Sequence, residues 1–394
     1  MKKNWTRFLV VALSVMMVFA MTACGGGSSD GGGDAEGGAG VLKLGGIGPT
    51  SGPAAIYGLA VKQGGELAVN EINAANPDGL QLEWSFEDDQ HDPEVSVNAY
   101  NTLVDNGMQV LVGTVTSTPC AAVAAETQAN RTFALTPSAS STAVTEGNDT
   151  VFQLCFADPN QGIAAADYVV ENYPDAVVGV IYNSSDNYSS GIFDKFKAEY
   201  EAKGGTIAVE QSFLSDDNAD FSVQVKAMKD AGATVVFTPI YYTPASLILK
   251  EAADTGYAPV FFGCDGMDGI LALENFDAAT AEGLLFITPF IPTSEDEKVQ
   301  AFVKAYEEAY GETPNQFAAD AYDCVYAVYE AFQKTGLSAD ASMEEICEAM
   351  IGVFTSSDFS FSGLTGEGMQ WDASGEVTKT PRICVVENGQ YAEK

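Results

Sequence analysis

The sequence predicts an α/β fold in two lobes, each a sheet of parallel strands layered with helices, and three observations carry that expectation. Short apolar strands alternate with amphipathic helices from residue 41 onward, which is the pattern of successive βα units. The series starts afresh near residue 176, where a buried strand again leads through a polar loop into a helix, mirroring the first. At 394 residues, with 46% hydrophobic and 19% charged side chains, the chain is globular in composition and exceeds the usual size of one domain.

Residues 1–24 read as a processing signal. Lys2, Lys3 and Arg7 give a basic start, an apolar run follows, and Met21-Thr22-Ala23-Cys24 ends it. A cysteine after a small residue at that boundary resembles a bacterial lipoprotein signal, with Cys24 lipidated at the mature N-terminus; Met21 stands where Leu is commoner, and an ordinary secretory leader is the alternative. Residues 25–40, G-G-G-S-S-D-G-G-G-D-A-E-G-G-A-G, form a tether too rich in glycine to pack. No later run approaches the length of a spanning helix, so the lipid anchor is the expected membrane attachment. Losing the leader's three basic residues leaves 55 acids against 15 bases, a formal charge of −40. Such a chain excludes nucleic acid as a partner, and its acidity reads as a solubility device. Apart from Cys24 there are six cysteines, Cys120, Cys155, Cys264, Cys324, Cys347 and Cys384, irregularly spaced and without C-x-x-C. Mostly buried free thiols are favoured over a disulfide framework.

In the first series, the strand at 41–47 opens into G-P-T-S-G-P-A-A-I-Y-G, and a helix is expected from near Leu59, with Val61, Ala68 and Ile72 inward and Gly64 and Gly65 close to the sheet. Tyr57 is thereby left on the loop. The strand at 80–86 ends in E-D-D-Q-H-D-P-E, where Asp92 caps a helix and Pro93 opens it. His91, the one histidine, stands among these acids. Capping and the helix dipole explain the acids better than a metal does.

Residues 110–142 are the centre of the argument. The strand V-L-V-G is followed by hydroxyls at Thr114, Thr116, Ser117 and Thr118, and Thr118 is the expected N-cap before Pro119. The next strand, ending at Leu135, opens into Ser138, Ser140, Ser141 and Thr142. Two strand ends thus direct alcohols and a helix N-terminus to one crevice, an arrangement that suits an anion, although hydroxyls at strand ends also serve simply as caps. No base, metal cluster or activated nucleophile accompanies them, which points to holding a small carboxylate.

A strand at 151–156 and a helix at 158–173 lead into the second series. Its strand at 176–182 runs into N-S-S-D-N-Y-S-S-G with Tyr188 before a helix, and its strand at 234–237 exits into T-P-I-Y-Y-T-P with Tyr241 and Tyr242. The strand at 260–263 ends at C-D-G-M-D-G, with Asp265 between a cysteine and a glycine. An acid at the end of a buried strand is costly without a cationic partner, though a turn residue is the plainer alternative. The helices carrying Val299, Phe302 and Tyr306 and then Tyr322, Val325, Tyr329 and Phe332 have aromatic stripes that belong to the core. Short strands near 359–361 and 382–386 close the chain.

These landmarks together resemble the extracytoplasmic solute-binding proteins of branched-chain amino acid (Leu/Ile/Val) ABC transporters. The resembling segments are G-P-T-S-G-P-A-A-I-Y-G, E-D-D-Q-H-D-P, V-G-T-V-T-S, L-T-P-S-A-S, D-N-Y-S-S-G, I-Y-Y-T-P and G-C-D-G, in order between residues 41 and 391. The resemblance implies a type I periplasmic-binding-protein fold, two doubly wound Rossmann-like lobes joined by three crossovers near 155–158, 289–292 and 376–380. Lobe 1 would be residues 41–156 plus 290–377, and lobe 2 residues 157–289 plus 378–394. It implies that Ser117, Ser138 and Ser140 hold an amino acid's α-carboxylate and that Tyr188 and Asp265 lie on the other lobe, Asp265 as counter-charge to the ammonium. Tyr57 and one of Tyr241 or Tyr242, with Tyr241 as candidate, would surround the ligand side chain. Some members of that family join two cysteines where this chain has His91 and Thr116, and many have Glu where it has Asp265.

The resemblance therefore implies a monomeric lipoprotein on the outer face of the cell membrane. It would capture a small amino acid of the branched-chain or aliphatic class for an ABC permease, with no cofactor and no metal. The alternatives are a sensory clamp or a binder of another small carboxylate or amide. An enzyme is disfavoured: S-D-N at 185–187 and K-T-G at 334–336 imitate β-lactamase motifs, but no S-x-x-K, G-x-S-x-G or H-E-x-x-H occurs.

Overall fold

The computed structural model describes residues 40–215 and 219–394; Cys24 and its tether up to residue 39 lie outside the described residues. Four-residue runs such as V-L-V-G, F-A-L-T and V-V-F-T are buried throughout, as strands covered by helices on both faces must be. The first sheet takes β1 (Val41–Gly48), β2 (Gln81–Asp88), β3 (Val110–Gly113), β4 (Phe133–Thr136) and β5 (Val151–Gln153), all parallel, in the order β2-β1-β3-β4-β5. Its helices are α1 (Ala55–Ala75), α2 (Pro93–Asp105) and α3 (Ser117–Asn130).

The second series consists of α4 (Asp158–Asn172), β6 (Val178–Asn183), α5 (Asn187–Ala202), β7 (Ile207–Phe213), α6 (Ser222–Asp230), β8 (Val235–Thr238), α7 (Tyr242–Asp254), β9 (Val260–Gly263) and β10 (Leu285–Thr288). The chain then returns to the first lobe with α8 (Glu297–Tyr310), α9 (Gln316–Thr335) and α10 (Met343–Phe354), and ends in the second sheet with β11 (Arg382–Glu387) and β12 (Gln390–Glu393). The second sheet runs β12-β11-β10-β9-β8-β6-β7. Its five parallel strands repeat the winding of the first sheet, and β11 and β12 extend it antiparallel. This is a pair of doubly wound α/β lobes.

The cores follow the layers. One apolar cluster fills the space between the first sheet and α1, α9 and α10, and another lies on its opposite face under α2 and α3. A third packs the second sheet against α4 and α5. The fourth runs from α6 and α7 through Met267 and Phe286 to Tyr57, Val61 and Phe317 of the first lobe, so the lobes share apolar contact.

Three passages of chain connect the sheets. On the first, Gln153 donates from Nε2 to the Ala139 carbonyl at 2.8 Å, and its own carbonyl accepts the Trp371 indole N–H at 2.7 Å. On the second, the Thr288 hydroxyl donates to Gln316 Oε1 at 2.7 Å. On the third, Lys379 lies 3.2 Å from Asp320, with both side chains at most 2% exposed, and donates to Thr365 Oγ1 at 2.8 Å. Burial outweighs the lysine and pushes the Asp320 carboxyl up to about 7.

Several expectations need correction. Helix α1 begins at Ala55 rather than near Leu59, because Gly52 in a left-handed turn (φ 79°) and the Pro53-Ala54 corner start it early, so Tyr57 is a buried helical residue. Gly64 serves a helix contact rather than a sheet contact: a Cβ there would run into the Ala318 carbonyl of α9, while one on Gly65 would meet the Trp84 ring. Helix α10 and strand β12 were not anticipated. Their signals are present, however, in the capping box Ser342 to Glu345 and in the Asn388-Gly389 turn, both residues at positive φ. All six cysteines outside the leader are free and buried.

The packing of α1 on α9 gives a paired test. Gly64→Ala should lower stability by about 1–3 kcal/mol through overpacking. Gly352→Ala, on the exposed face of α10 where a Cβ meets nothing within 4 Å, should raise it by about 0.5–1 kcal/mol. Urea denaturation midpoints that move in the same direction for both variants would contradict this assignment of the interface.

Candidate functional site

In each sheet the strand order reverses beside the first strand: β2 and β3 flank β1, and β7 and β8 flank β6. Helices leave such a switch point on opposite faces, which opens a crevice at the carboxyl ends of the strands. Loops and helix starts after β1, β3 and β4 carry Tyr57, Ser117, Ser138 and Ser140. Those after β6, β8 and β9 carry Tyr188, Tyr241 and Asp265. The two sets therefore come from equivalent places in the two lobes.

Contacts across the seam bring these loops face to face. The Tyr57 hydroxyl donates to the Gly266 carbonyl at 2.5 Å and accepts the Tyr242 N–H at 3.2 Å. Tyr242 Oη accepts the Ile56 N–H at 3.1 Å, and the Thr243 hydroxyl donates to the Pro53 carbonyl at 2.7 Å. Thr118 donates to Asp186 at 3.1 Å. Thr118 is consequently not the N-cap of α3. The helix begins at Ser117 with Thr116 as cap residue, and no side-chain cap bond forms, which leaves the first-turn N–H groups uncapped by any side chain.

The hydroxyl wall is buried and internally tied. Ser117 Oγ accepts the Ser141 N–H at 3.2 Å. Thr136 donates to the Thr114 carbonyl at 2.6 Å and accepts the Ala139 N–H at 3.0 Å. Ser138 donates to the Val115 carbonyl at 2.7 Å, so its proton is committed within the wall. Ser140 is fully buried, and its hydroxyl has no partner among the described residues.

Asp265 opens a short 3-10 turn after β9 and is 3% exposed. Tyr188 donates to Asp265 Oδ1 at 2.7 Å and accepts the Gly266 N–H at 2.9 Å. The Asp265 N–H donates to Gln161 Oε1 at 3.1 Å, and its carbonyl accepts from Gln316 Nε2 at 2.9 Å. Among the described residues no basic side chain is paired with it. Burial pushes its carboxyl up to about 6, against the opposing pull of Tyr188, Gln161 and the more remote Lys379 charge.

Aromatic rings connect the two walls. Tyr188 stacks on Tyr241 at 4.8 Å and 16°, and Tyr57 meets Tyr241 edge-on at 5.5 Å. Tyr242, the open alternative, packs on Tyr57 at 4.7 Å and is buried; Tyr241 is half-buried at the centre. His91 meets Tyr241 edge-on at 5.6 Å, and its Nδ1 lies 2.9 Å from Thr116 Oγ1. Burial lowers the His91 pKa, with Asp186 across the seam pulling the other way. Among the described residues no group of side chains could hold a metal ion.

Four side chains at the seam were not singled out from sequence. Asp158 was legible only as a helix start and Asp186 only as a letter of D-N-Y-S-S-G. Gln161 and Gln316 carry no local signal, because their partners are supplied by distant strands.

The sequence matches the family described as "Periplasmic binding protein" over residues 41–384. It is 30% identical over 303 residues to "Leu/Ile/Val-binding protein homolog 3" of Brucella melitensis, covering 76% of this chain and 81% of that protein. It is 28% identical over 311 residues to the "Leucine-, isoleucine-, valine-, threonine-, and alanine-binding protein" of Pseudomonas aeruginosa, covering 78% and 82%. Among solved structures, it superposes with a TM-score of 0.79 on the branched-chain amino acid transporter substrate-binding protein LivJ of Streptococcus pneumoniae in complex with isoleucine, at 30% identity, covering 89% of this chain and 97% of that one. With two lobes of the same winding meeting along one seam, and a family match across nearly all of the described residues, the chain belongs to the periplasmic binding protein family, which holds solutes rather than transforming them.

Proposed function

We propose that this protein captures an aliphatic L-amino acid between its lobes and delivers it to an ABC transporter permease. Lobe 1 would comprise residues 41–156 plus 290–377, and lobe 2 residues 157–289 plus 378–394. The observation that carries the reading is the pairing of opposites across the seam. One wall offers the α3 N-terminus with Ser117, Ser138 and Ser140; the other offers Asp265, buried without a basic partner. An α-carboxylate suits the first wall and an α-ammonium the second, so only a zwitterion satisfies both at once. Tyr57 and Tyr241 would line the space for an apolar side chain, while Tyr188 holds Asp265 in position. The names of the Brucella and Pseudomonas relatives and the isoleucine in LivJ support the same solute class.

Export fits this role. No helix among the described residues is long and apolar enough to cross a membrane. Attachment is assigned to a lipid on Cys24, with residues 25–40 as a leash. Cys24→Ser should move the protein from the membrane fraction to the soluble extracytoplasmic fraction, and retention with the membrane would refute the anchor.

Calorimetric titration with L-amino acids and with 4-methylpentanoate, which lacks the amine, tests the ligand. An aliphatic amino acid should bind, and Asp265→Ala should weaken it by more than about 2 kcal/mol. Binding of 4-methylpentanoate but of no amino acid would defeat the assignment.

The buried acids also set a pH dependence. Burial pushes Asp89 and Asp265 up to about 6 and Asp268 and Asp320 to about 7. An acid whose pKa is higher folded than unfolded binds its proton more tightly when folded. Its stabilisation is complete below about pH 4 and is lost as pH rises through 6 to 7. His91, lowered by burial, works the opposite way as a single group. Carboxylates held low, such as Asp149 beside Arg131, cost stability only under more acidic conditions. The ligand-free protein should therefore melt at a higher temperature at pH 5 than at pH 8, and a melting temperature that rises over that interval would contradict the burial of these acids.

A further inference from the structure

A groove of about 890 Å³ opens where α1 and α8 of the first lobe meet the turn after β9 and strand β12 of the second. Its volume is that of a small-molecule site, roughly 300–1,000 Å³. Ser117, Ser138, Ser140, Tyr188, Tyr241 and Asp265 contribute nothing to its walls, so it is distinct from the crevice described above. Gln316, the first residue of α9, stands between the two: its N–H donates to Asp268 at 2.7 Å, and its Nε2 donates to the Asp265 carbonyl at 2.9 Å.

Two kinds of side chain make the groove a candidate site. Ile56, Leu59, Leu271 and Val303 give it apolar walls, and none of the four is fully buried. Asp268, which also lines it, is 1% exposed. An acid facing a helix start is ordinarily explained by the dipole, and that accounts for Oδ2, the acceptor of the Gln316 N–H. It does not account for Oδ1, which is buried without a hydrogen-bond partner among the described residues. Burial pushes the Asp268 carboxyl up to about 7, opposed by the N–H groups of Gln316 and Gly269 and by the Tyr391 hydroxyl but by no cation. The Gly269 N–H is itself spent on Tyr391 Oη, at 3.2 Å. The walls include Glu307 and Glu312, both exposed, and neither lysine nor arginine. The general acidity of the chain explains those two surface residues but not Asp268, because an acid aids solubility only where water reaches it.

The chemistry of the walls selects the occupant. An anion would meet three acids and no base, and a neutral molecule would leave Asp268 without a counter-charge. A protonated amine brings both N–H donors and charge, and an apolar body would cover the four aliphatic side chains. We propose that this groove is a second ligand site, which takes a small amine with an apolar body and no carboxylate, its ammonium held by Asp268. The inference is independent of the amino-acid reading of the crevice between the hydroxyl wall and Asp265. A buried carboxylate with an open acceptor destabilises the empty protein, so an amine that satisfies it raises the melting temperature.

The test titrates the full chain by calorimetry with 3-methylbutan-1-amine and with 3-methylbutan-1-ol, which has the same apolar body and no charge. The amine should bind at least tenfold more tightly than the alcohol and raise the melting temperature. Leu59→Arg, a surface change that places a cation in the groove, and Asp268→Asn, which keeps an acceptor for the Gln316 N–H, should each lose at least tenfold in amine affinity. Asp265→Ala should keep amine affinity within twofold of wild type. No measurable binding of the amine to the wild type overturns the proposal, as does amine affinity within twofold of wild type in Leu59→Arg. A loss in Asp265→Ala equal to that in Asp268→Asn would place the amine in the crevice instead and overturn the second site. Each of these failures leaves the amino-acid reading standing, since that reading is tested by L-amino acids and not by the amine.

Discussion

The constraint on which the structure turns is a buried negative charge that the protein does not neutralise by itself. Asp265 is closed off from solvent, oriented by Tyr188 and fixed at both ends of its backbone by glutamines from α4 and α9. Lys379, the cation that acts on it electrostatically, is committed to Asp320 and Thr365. A hydrogen bond from a phenol lowers the cost of such a carboxylate but does not supply a counter-charge. The chain thus maintains a charge deficit at the seam, and the proposed solute is the group that would fill it.

The duplicated winding explains why the deficit lies where it does. Each sheet places its switch point beside its first strand, so each lobe presents the loops after its first, third and fourth strands in winding order. Tyr57 and Tyr188 correspond in this way, as do Ser117 and Tyr241, and Ser138 and Asp265. The difference between the walls is therefore one of side chains at matching places, hydroxyls and an uncapped helix start on one and an acid on the other. Specificity on this scaffold is a matter of a few loop residues, while strand order and helix packing stay constant.

Much of this was legible because it is local. Buried four-residue strands, prolines and acids at helix starts, and aromatic stripes on α8 and α9 are short-range signals, and the structure has them as read. What escaped depends on distance along the chain. The expected cap Thr118 is drawn to Asp186, 68 residues away. Tyr57 reads as a loop residue until Tyr242 and Gly266, about two hundred residues later, take its hydroxyl. Asp158 looks like any acid opening a helix, since nothing near it in sequence reveals that its oxygens are left without donors. By contrast, α10 and β12 do carry local signals, a capping box and an Asn-Gly turn.

The balance of forces at the seam explains how such a clamp responds to its solute. The bonds that cross it, from Tyr57, Tyr242, Thr243 and Thr118, are ordinary hydrogen bonds worth about 1 kcal/mol each net of water. Opposing them, Asp158, Asp186 and Asp265 are all buried at the seam, where burial first and their like charges second disfavour their ionised forms. A ligand shifts such an equilibrium only by the difference in its affinity for the two states. A zwitterion held as proposed would touch both walls only where they meet, and its ammonium would offset the repulsion among the acids. On the proposed reading, acids that look like a defect in the empty clamp would be the feature that makes its hold on a solute depend on an amine.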